Sequence, residues 1–209
     1  MADELVLYTN PQSRGRIARW MLEEIGQPYT TEILDYASTM KGSAYLAINP
    51  MGKVPALRHG NAVVTETAAI CAYLADAFPQ ARLAPPSGDR LRAPYYRWMF
   101  FAAGPIEAAS SNKAMGFVVP PERERMMGYG NHALAFKTLE DAVARGPYLV
   151  GDSFTAADVY VGSQIGFGMM FGMIEKRPAF EAYWQRISSR PACKRANELD
   201  EAATPKKVG

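Results

Sequence analysis

The chain has 209 residues, a formal net charge of +2 and 48% hydrophobic residues. That is enough for one or two globular domains with an ordinary core. The even charge balance, with no basic block interleaved with aromatics, speaks against a nucleic-acid partner.

Two cysteines, Cys71 and Cys193, lie far apart without a CxxC, and the histidines are only His59 and His132. This gives no disulfide framework and no expected metal site. Asp3-Glu4 leads straight into a strand, with no basic and apolar leader, so no secretory signal is expected. No apolar run approaches the ~20 residues of a membrane span; the run at 166–174 is short and glycine-rich. The expected setting is a reduced cytoplasm, with no membrane partner.

In chain order, residues 4–9 (ELVLYT) are β-prone and read as a first strand. Asn10-Pro11 is a turn signal and Ser13 a good N-cap. From Arg14 to Ile25 the apolar residues Ile17, Trp20, Met21, Leu22 and Ile25 share one helical face, and Gly26 ends the helix. Residues 28–34 read as a second strand, followed by a loop with a short helix near 43–47. VPALRH (54–59), the HGN turn and AVVTE (62–66) read as two further strands, and residues 67–78 as a helix. The first ~80 residues are therefore β-α-β-α-β-β-α, a mixed sheet with helices on its faces.

Residues 80–89, rich in Pro, Gly and Ser, read as a linker between a first domain, 1–79, and a second, 90–209. In the second domain, 90–103, 122–145, 155–174 and 178–189 all follow the helical period, so it is expected to be all-α. The polar tail from Glu198 to Gly209 is expected to fray. Thr155 and Asp158 form a capping-box pattern opening an apolar helix, a structural feature worth about 0.5–2 kcal/mol.

Two points carry chemistry. Pro55 cannot donate a ladder hydrogen bond. It stands either as a trans proline on an edge strand, which the local residues favour, or as a cis proline that leaves the Val54 N–H and carbonyl to a ligand. Glu66-Thr67 sits where a strand passes into a helix. It is either an ordinary cap or a clamp for a zwitterionic amino acid, with Thr67 and free N–H groups on the carboxylate and Glu66 on the ammonium.

The order and spacing of the mixed α/β start, NPMGKVPAL, Glu-Thr at a helix start, the helical second half and FTAAD resemble cytosolic glutathione S-transferases over nearly the whole chain, from Leu5 to about Arg195. The resemblance implies a thioredoxin-like first domain, an all-α second domain and a homodimer. It also implies glutathione as co-substrate, held mainly by the first domain. Pro55 would then be cis, with Val54 pairing its backbone with the cysteinyl part. Glu66 and Thr67 would grip the γ-glutamyl end, and Lys53 would reach the glycyl carboxylate or a nearby backbone group.

The implied chemistry is attack of the glutathione thiolate on a hydrophobic electrophile. A hydroxyl beside a helix N-terminus favours the thiolate. Ser13 fits by position, five residues after Tyr8, as in the serine-using classes. Tyr8 fits the tyrosine-using classes, with Arg14 then supporting the thiolate, and Asn10 is a third candidate. No cysteine lies in the 8–15 loop, which argues against mixed-disulfide chemistry. Cys71 reads as core. The electrophile is expected between the domains, near Tyr95, Trp98, Met99, Phe101 and 115–117, with 167–173 mostly core. The alternatives are a carrier of the same fold that binds glutathione weakly or not at all, and a glutathione-dependent isomerase, lyase or peroxidase.

Overall fold

β1, Leu5–Thr9, is buried along almost its whole length, as a central strand must be. The computed structural model describes residues 3–204. β1 is followed by α1 (Gly15–Ile25), β2 (Thr30–Ile33), α2 (Ser43–Leu46), β3 (Ala56–His59), β4 (Ala62–Thr65) and α3 (Thr67–Ala77). The four strands lie in the order β2-β1-β3-β4. β2 runs parallel to β1, while β3 is antiparallel to both β1 and β4. This is the β-α-β-α-β-β-α order expected. α1 and α3 pack on each other, bringing Ile17, Met21 and Leu22 together with Ile70 and Leu74 in the core.

Contacts divide the chain into two compact units: residues up to Arg82 together with those from Ser189 on, and Leu83–Ser188. The last helix, α9 (Pro191–Ala203), belongs to the first unit and packs on α1. The expected fraying from Glu198 is corrected over 198–203, which are helical; residues 205–209 lie outside the described residues. α9 is polar in sequence, so its hold comes from specific partners. Asp200 is buried against Arg19 at 2.8 Å, and Arg190 makes a two-pronged ion pair with Glu24 at 2.6 and 2.7 Å.

The second unit is helical. α4 (Arg92–Phe101) passes through a π turn, Ala102–Ile106, into α5 (Glu107–Ala114). Pro105 lies inside that turn, where its missing N–H disturbs the regular ladder. α6 spans His132–Ala144, with the Asn131 side chain accepting from the Leu134 N–H at 2.8 Å. The helix expected from Glu122 therefore begins ten residues later. The earlier stretch forms only a 3-10 segment, Pro121–Met126, and the positive-φ Gly130 separates it from α6.

α7 (Ala156–Met170) opens with the expected capping box and is buried on nearly every side. Two of its glycines, Gly162 and Gly166, are close-packing positions against α8 (Pro178–Ser188). A Cβ on Gly166 would meet the Trp184 indole at 2.6 Å, and one on Gly162 would meet Ile187 at 2.0 Å. No helix among the described residues is long and apolar enough to cross a membrane.

Candidate functional site

The register of the sheet brings three chemically distinctive segments to one end. Tyr8 pairs with Ala56, and Ala56 with Thr65. The turn after β1, the Val54–Pro55 step before β3 and the Glu66–Thr67 step after β4 therefore lie side by side. Openings beyond the ends of the strands are where open α/β sheets bind ligands.

The Val54–Pro55 peptide bond is cis. Val54 precedes β3 and lies outside its ladder. The carbonyl of the preceding residue, Lys53, accepts from the Tyr45 hydroxyl at 2.6 Å and from Asn49 Nδ2 at 2.7 Å. Lys41 Nζ donates to the Gly52 carbonyl at 2.6 Å. This loop is over-determined by side chains, while the Lys53 side chain itself is exposed.

Glu66 has φ 66° and ψ 120°, a region that costs a residue with a Cβ about 1–3 kcal/mol. It sits at the N-cap of α3 with its side chain exposed and making no cap hydrogen bond. The first amides of α3 thus have no side-chain acceptor from the N-cap residue, at the positive end of the helix. Thr67, the first helical residue, is buried.

The turn after β1 is tightly bonded. Ser13 Oγ donates to the Asn10 carbonyl at 2.6 Å and accepts from the Gly15 N–H at 2.9 Å. α1 thus starts one residue later than expected, but Ser13 still bonds its first amide. The Asn10 side chain is fully occupied, its Oδ1 accepting from the Gln12 N–H at 2.9 Å and its Nδ2 donating to the Leu34 carbonyl at 2.8 Å. Asn10 therefore shapes the turn. Arg14 is exposed.

Tyr8 lies on the other face of the sheet from the start of α1. Thr9 faces Gly15, and neighbouring strand residues point to opposite faces. The Tyr8 ring accordingly packs with Met40, Tyr45 and Ala56, 5.8 Å from the Tyr45 ring. Its hydroxyl interacts with the Arg58 guanidinium, which also pairs with Glu4 at 3.1 Å. Tyr8 and Ser13 thus share one end of the sheet but not one face.

Cys71 is fully buried in α3, and burial pushes its thiol up to about 12, so it remains a protonated core residue. In the second unit Tyr95, Trp98 and Met99 are core, while Met115 and Phe117 are exposed. The expectation that 167–173 is mostly core is corrected. α7 ends at Met170, and Met170, Phe171 and Met173 are exposed. Among the described residues no cluster of His, Cys, Asp and Glu could hold a metal ion. Sequence reasoning missed the bonds that hold Lys53 and the backbone of Glu66. The Asn49-Pro50 turn signal was the one available hint of the former.

The two units define a thioredoxin-like domain joined to an all-α domain. Residues 14–77 match the family model for the glutathione S-transferase N-terminal domain, and residues 105–191 match that for the C-terminal domain. Glutathione S-transferase A of Pleuronectes platessa is 28% identical over 183 residues, covering 80% of this chain and 79% of the relative. Glutathione S-transferase GstA of Escherichia coli O157:H7 is 26% identical over 196 residues, covering 88% and 93%.

Among solved structures, a glutathione transferase from Methylococcus capsulatus has 29% identity and a TM-score of 0.78, covering 95% of this chain and 99% of its own. A theta-class enzyme from Xanthomonas axonopodis pv. citri, solved with glutathione bound, has 29% identity and a TM-score of 0.71, covering 93% and 97%. This chain belongs to the glutathione S-transferase family.

Proposed function

We propose that this protein is a glutathione transferase that activates the glutathione thiol for attack on a hydrophobic electrophile. The observation that carries the reading is the grouping, at one end of the sheet, of Val54 outside its ladder, Glu66–Thr67 at an uncapped helix start, and Ser13 at the first turn of α1. A tripeptide with a zwitterionic end suits that set. Val54 pairs with the cysteinyl backbone as an added strand would. The Thr67 hydroxyl and the first amides of α3 hold the γ-glutamyl carboxylate, and Glu66 holds the ammonium. Lys53 reaches the glycyl carboxylate.

The sulfur then lies toward the turn at Ser13. A free thiol titrates at about 8.5, so only a few per cent is ionised at neutral pH. A hydrogen bond to a charged acceptor contributes about 1.5–3 kcal/mol, and each pKa unit corresponds to about 1.4 kcal/mol. One donated bond from Ser13, with the positive end of α1 and the Arg14 charge nearby, is therefore enough to make the thiolate the main form. The Ser13 proton must first leave the Asn10 carbonyl, because a hydroxyl has only one to give. The thiolate attacks the electrophilic carbon, a C–S bond forms, and the leaving group departs with the bonding pair.

That engaged proton, at 2.6 Å, also favours a second reading, a carrier that binds glutathione without activating it. Retention on immobilised glutathione followed by a chloro-dinitrobenzene assay separates the two; retention without turnover on an electrophile panel supports the carrier. Within the transferase reading, Ser13→Ala raises the pKa of the bound thiol and Tyr8→Phe does not. The reverse result moves the role to Tyr8. A cytoplasmic homodimer is proposed, to be checked by the mass of the protein in solution.

A further inference from the structure

α1 and α9 meet along a polar seam within the first unit. Two residues of α1, Arg16 and Arg19, face two residues of α9 at the same spacing, Asn197 and Asp200. Arg16 Nη2 donates to Asn197 Oδ1 at 3.1 Å, and Arg19 Nε to Asp200 Oδ1 at 2.8 Å. The two pairs do different things. Arg19 continues inward to Tyr29 and Thr31 of the sheet side, each at 3.2 Å, and so anchors the helix. Arg16 reaches the other way. Its Nη1 points at the Pro11 carbonyl at 3.5 Å, the long end of hydrogen-bond range. Pro11 is the middle of the turn whose ends are Asn10 and Ser13. The Asn197 amide also touches Cys193 Sγ at 3.8 Å, which fixes its orientation within α9.

We propose that Arg16 is a positioning residue for Ser13, which it tethers through the Pro11 carbonyl to Asn197 on the C-terminal helix. The proposal rests on the transferase reading above. The physical ground is that the Ser13 hydroxyl has two competing uses for its proton, the Asn10 carbonyl and an incoming sulfur. Small shifts in the backbone of the 10–13 turn decide between them. A guanidinium fork is suited to this work because its two nitrogens hold two acceptors in a fixed relation. The fork joins the turn to an element that begins more than 170 positions later in the chain and is itself held on α1, one turn from Asn197, by the Arg19–Asp200 pair. α9 thereby becomes part of the thiol-activating apparatus without touching substrate.

The test uses the full chain with three variants: Asn197→Ala removes the acceptor, Asn197→Asp keeps it, and Arg190→Gln loosens α9 at its far anchor. Two readouts are taken. The first is amide hydrogen exchange at Ser13 and Gly15, whose N–H groups are bonded within the turn. The second is the pKa of the bound glutathione thiol, by ultraviolet absorbance of the thiolate.

Asn197→Ala is expected to speed exchange at both amides. It should raise the thiol pKa by about half a unit, a roughly threefold drop in the acid dissociation constant of the bound thiol. kcat falls accordingly, while the KM for glutathione changes little. Asn197→Asp restores both readouts, and Arg190→Gln lowers the melting temperature without moving the thiol pKa. Unchanged exchange in Asn197→Ala overturns the tether. A thiol pKa that follows stability across all three variants overturns the positioning role. If the wild-type protein binds no glutathione, the transferase reading fails, and the exchange arm alone still decides the tether.

Discussion

A Cβ built on Gly15 would lie 1.7 Å from Oγ1 of Thr9. The first turn of α1 therefore rests directly on the last residue of β1, and that residue is fully buried. Gly15→Ala must push α1 away from the strand, at a cost of about 1–3 kcal/mol. The same shift draws the Gly15 N–H away from Ser13 Oγ. The double variant Thr9→Ala/Gly15→Ala removes the nearest atom but leaves the Thr9 Cβ at 2.9 Å and Ser13 Oγ at 3.0 Å from the new methyl. It is expected to recover part of the stability in a denaturant titration, with a coupling outside additivity. Purely additive losses would contradict this contact.

Asp158 does more than close the capping box. Its two oxygens accept from the Thr155 N–H at 2.8 Å, the Leu149 N–H at 2.9 Å and the Tyr183 hydroxyl at 2.7 Å, with the residue fully buried. Asp158→Ala leaves two of these donors buried without an acceptor beyond the loss of the cap. The expected cost rises from the 0.5–2 kcal/mol of a cap to about 3–5 kcal/mol. Asp158→Asn keeps one acceptor oxygen and should lose less. Equilibrium unfolding of both variants measures the difference, and a Tyr183→Phe variant isolates the third bond.

Gly166 is packed against a flat, rigid indole. Gly166→Ala would place its methyl 2.6 Å from Trp184, which has no flexible end to move aside. A loss of about 1–3 kcal/mol is expected, although alanine is the better helix former by up to ~1 kcal/mol. At Gly162 the obstacle is the terminal carbon of Ile187, which can rotate, so Gly162→Ala should cost less. The order of the two melting temperatures checks this.

His132 stacks on Phe136 with ring centroids 4.3 Å apart. Burial, with the Lys113 and Arg177 charges nearby, holds its pKa below the usual histidine value of about 6.5. The folded state thus prefers the neutral ring, and the unfolded chain binds the extra proton first. Its contribution to stability is full above pH ~6.5 and falls as the pH drops through the depressed folded value. A His132→Gln variant should show a flatter melting-temperature profile on the acid side. An unchanged slope would remove His132 as its source.

Much of the first unit was legible because its signals are local. Alternation marks β1, a helical stripe marks α1, and turn residues separate β3 from β4. The helix α5 was missed because EAASSNKA carries no apolar stripe; it is helical because it continues α4 through the π turn. The candidate site was legible as a set of segments, since Ser13 stands at a turn-to-helix cap, Pro55 interrupts a strand and Glu66–Thr67 sits at a strand-to-helix step. Their roles were not. Whether Tyr8 or Ser13 lies beside the start of α1 depends on which face of β1 that helix covers, and only the contact of Gly15 with Thr9 decides it.

By itself the sequence determined the element order of the sheet, the helical character of the second half and the segments that lie at one end of the strands. Those follow from periodicity and turn chemistry within a few residues. The tertiary structure alone decided that α9 belongs with α1, and that Arg16 stands between Pro11 and Asn197. The partners Arg16–Asn197 and Arg19–Asp200 are each 181 positions apart. No local pattern links residues so distant; burial makes an unpaired charge costly, and the fold brings partners from the far end of the chain to answer it.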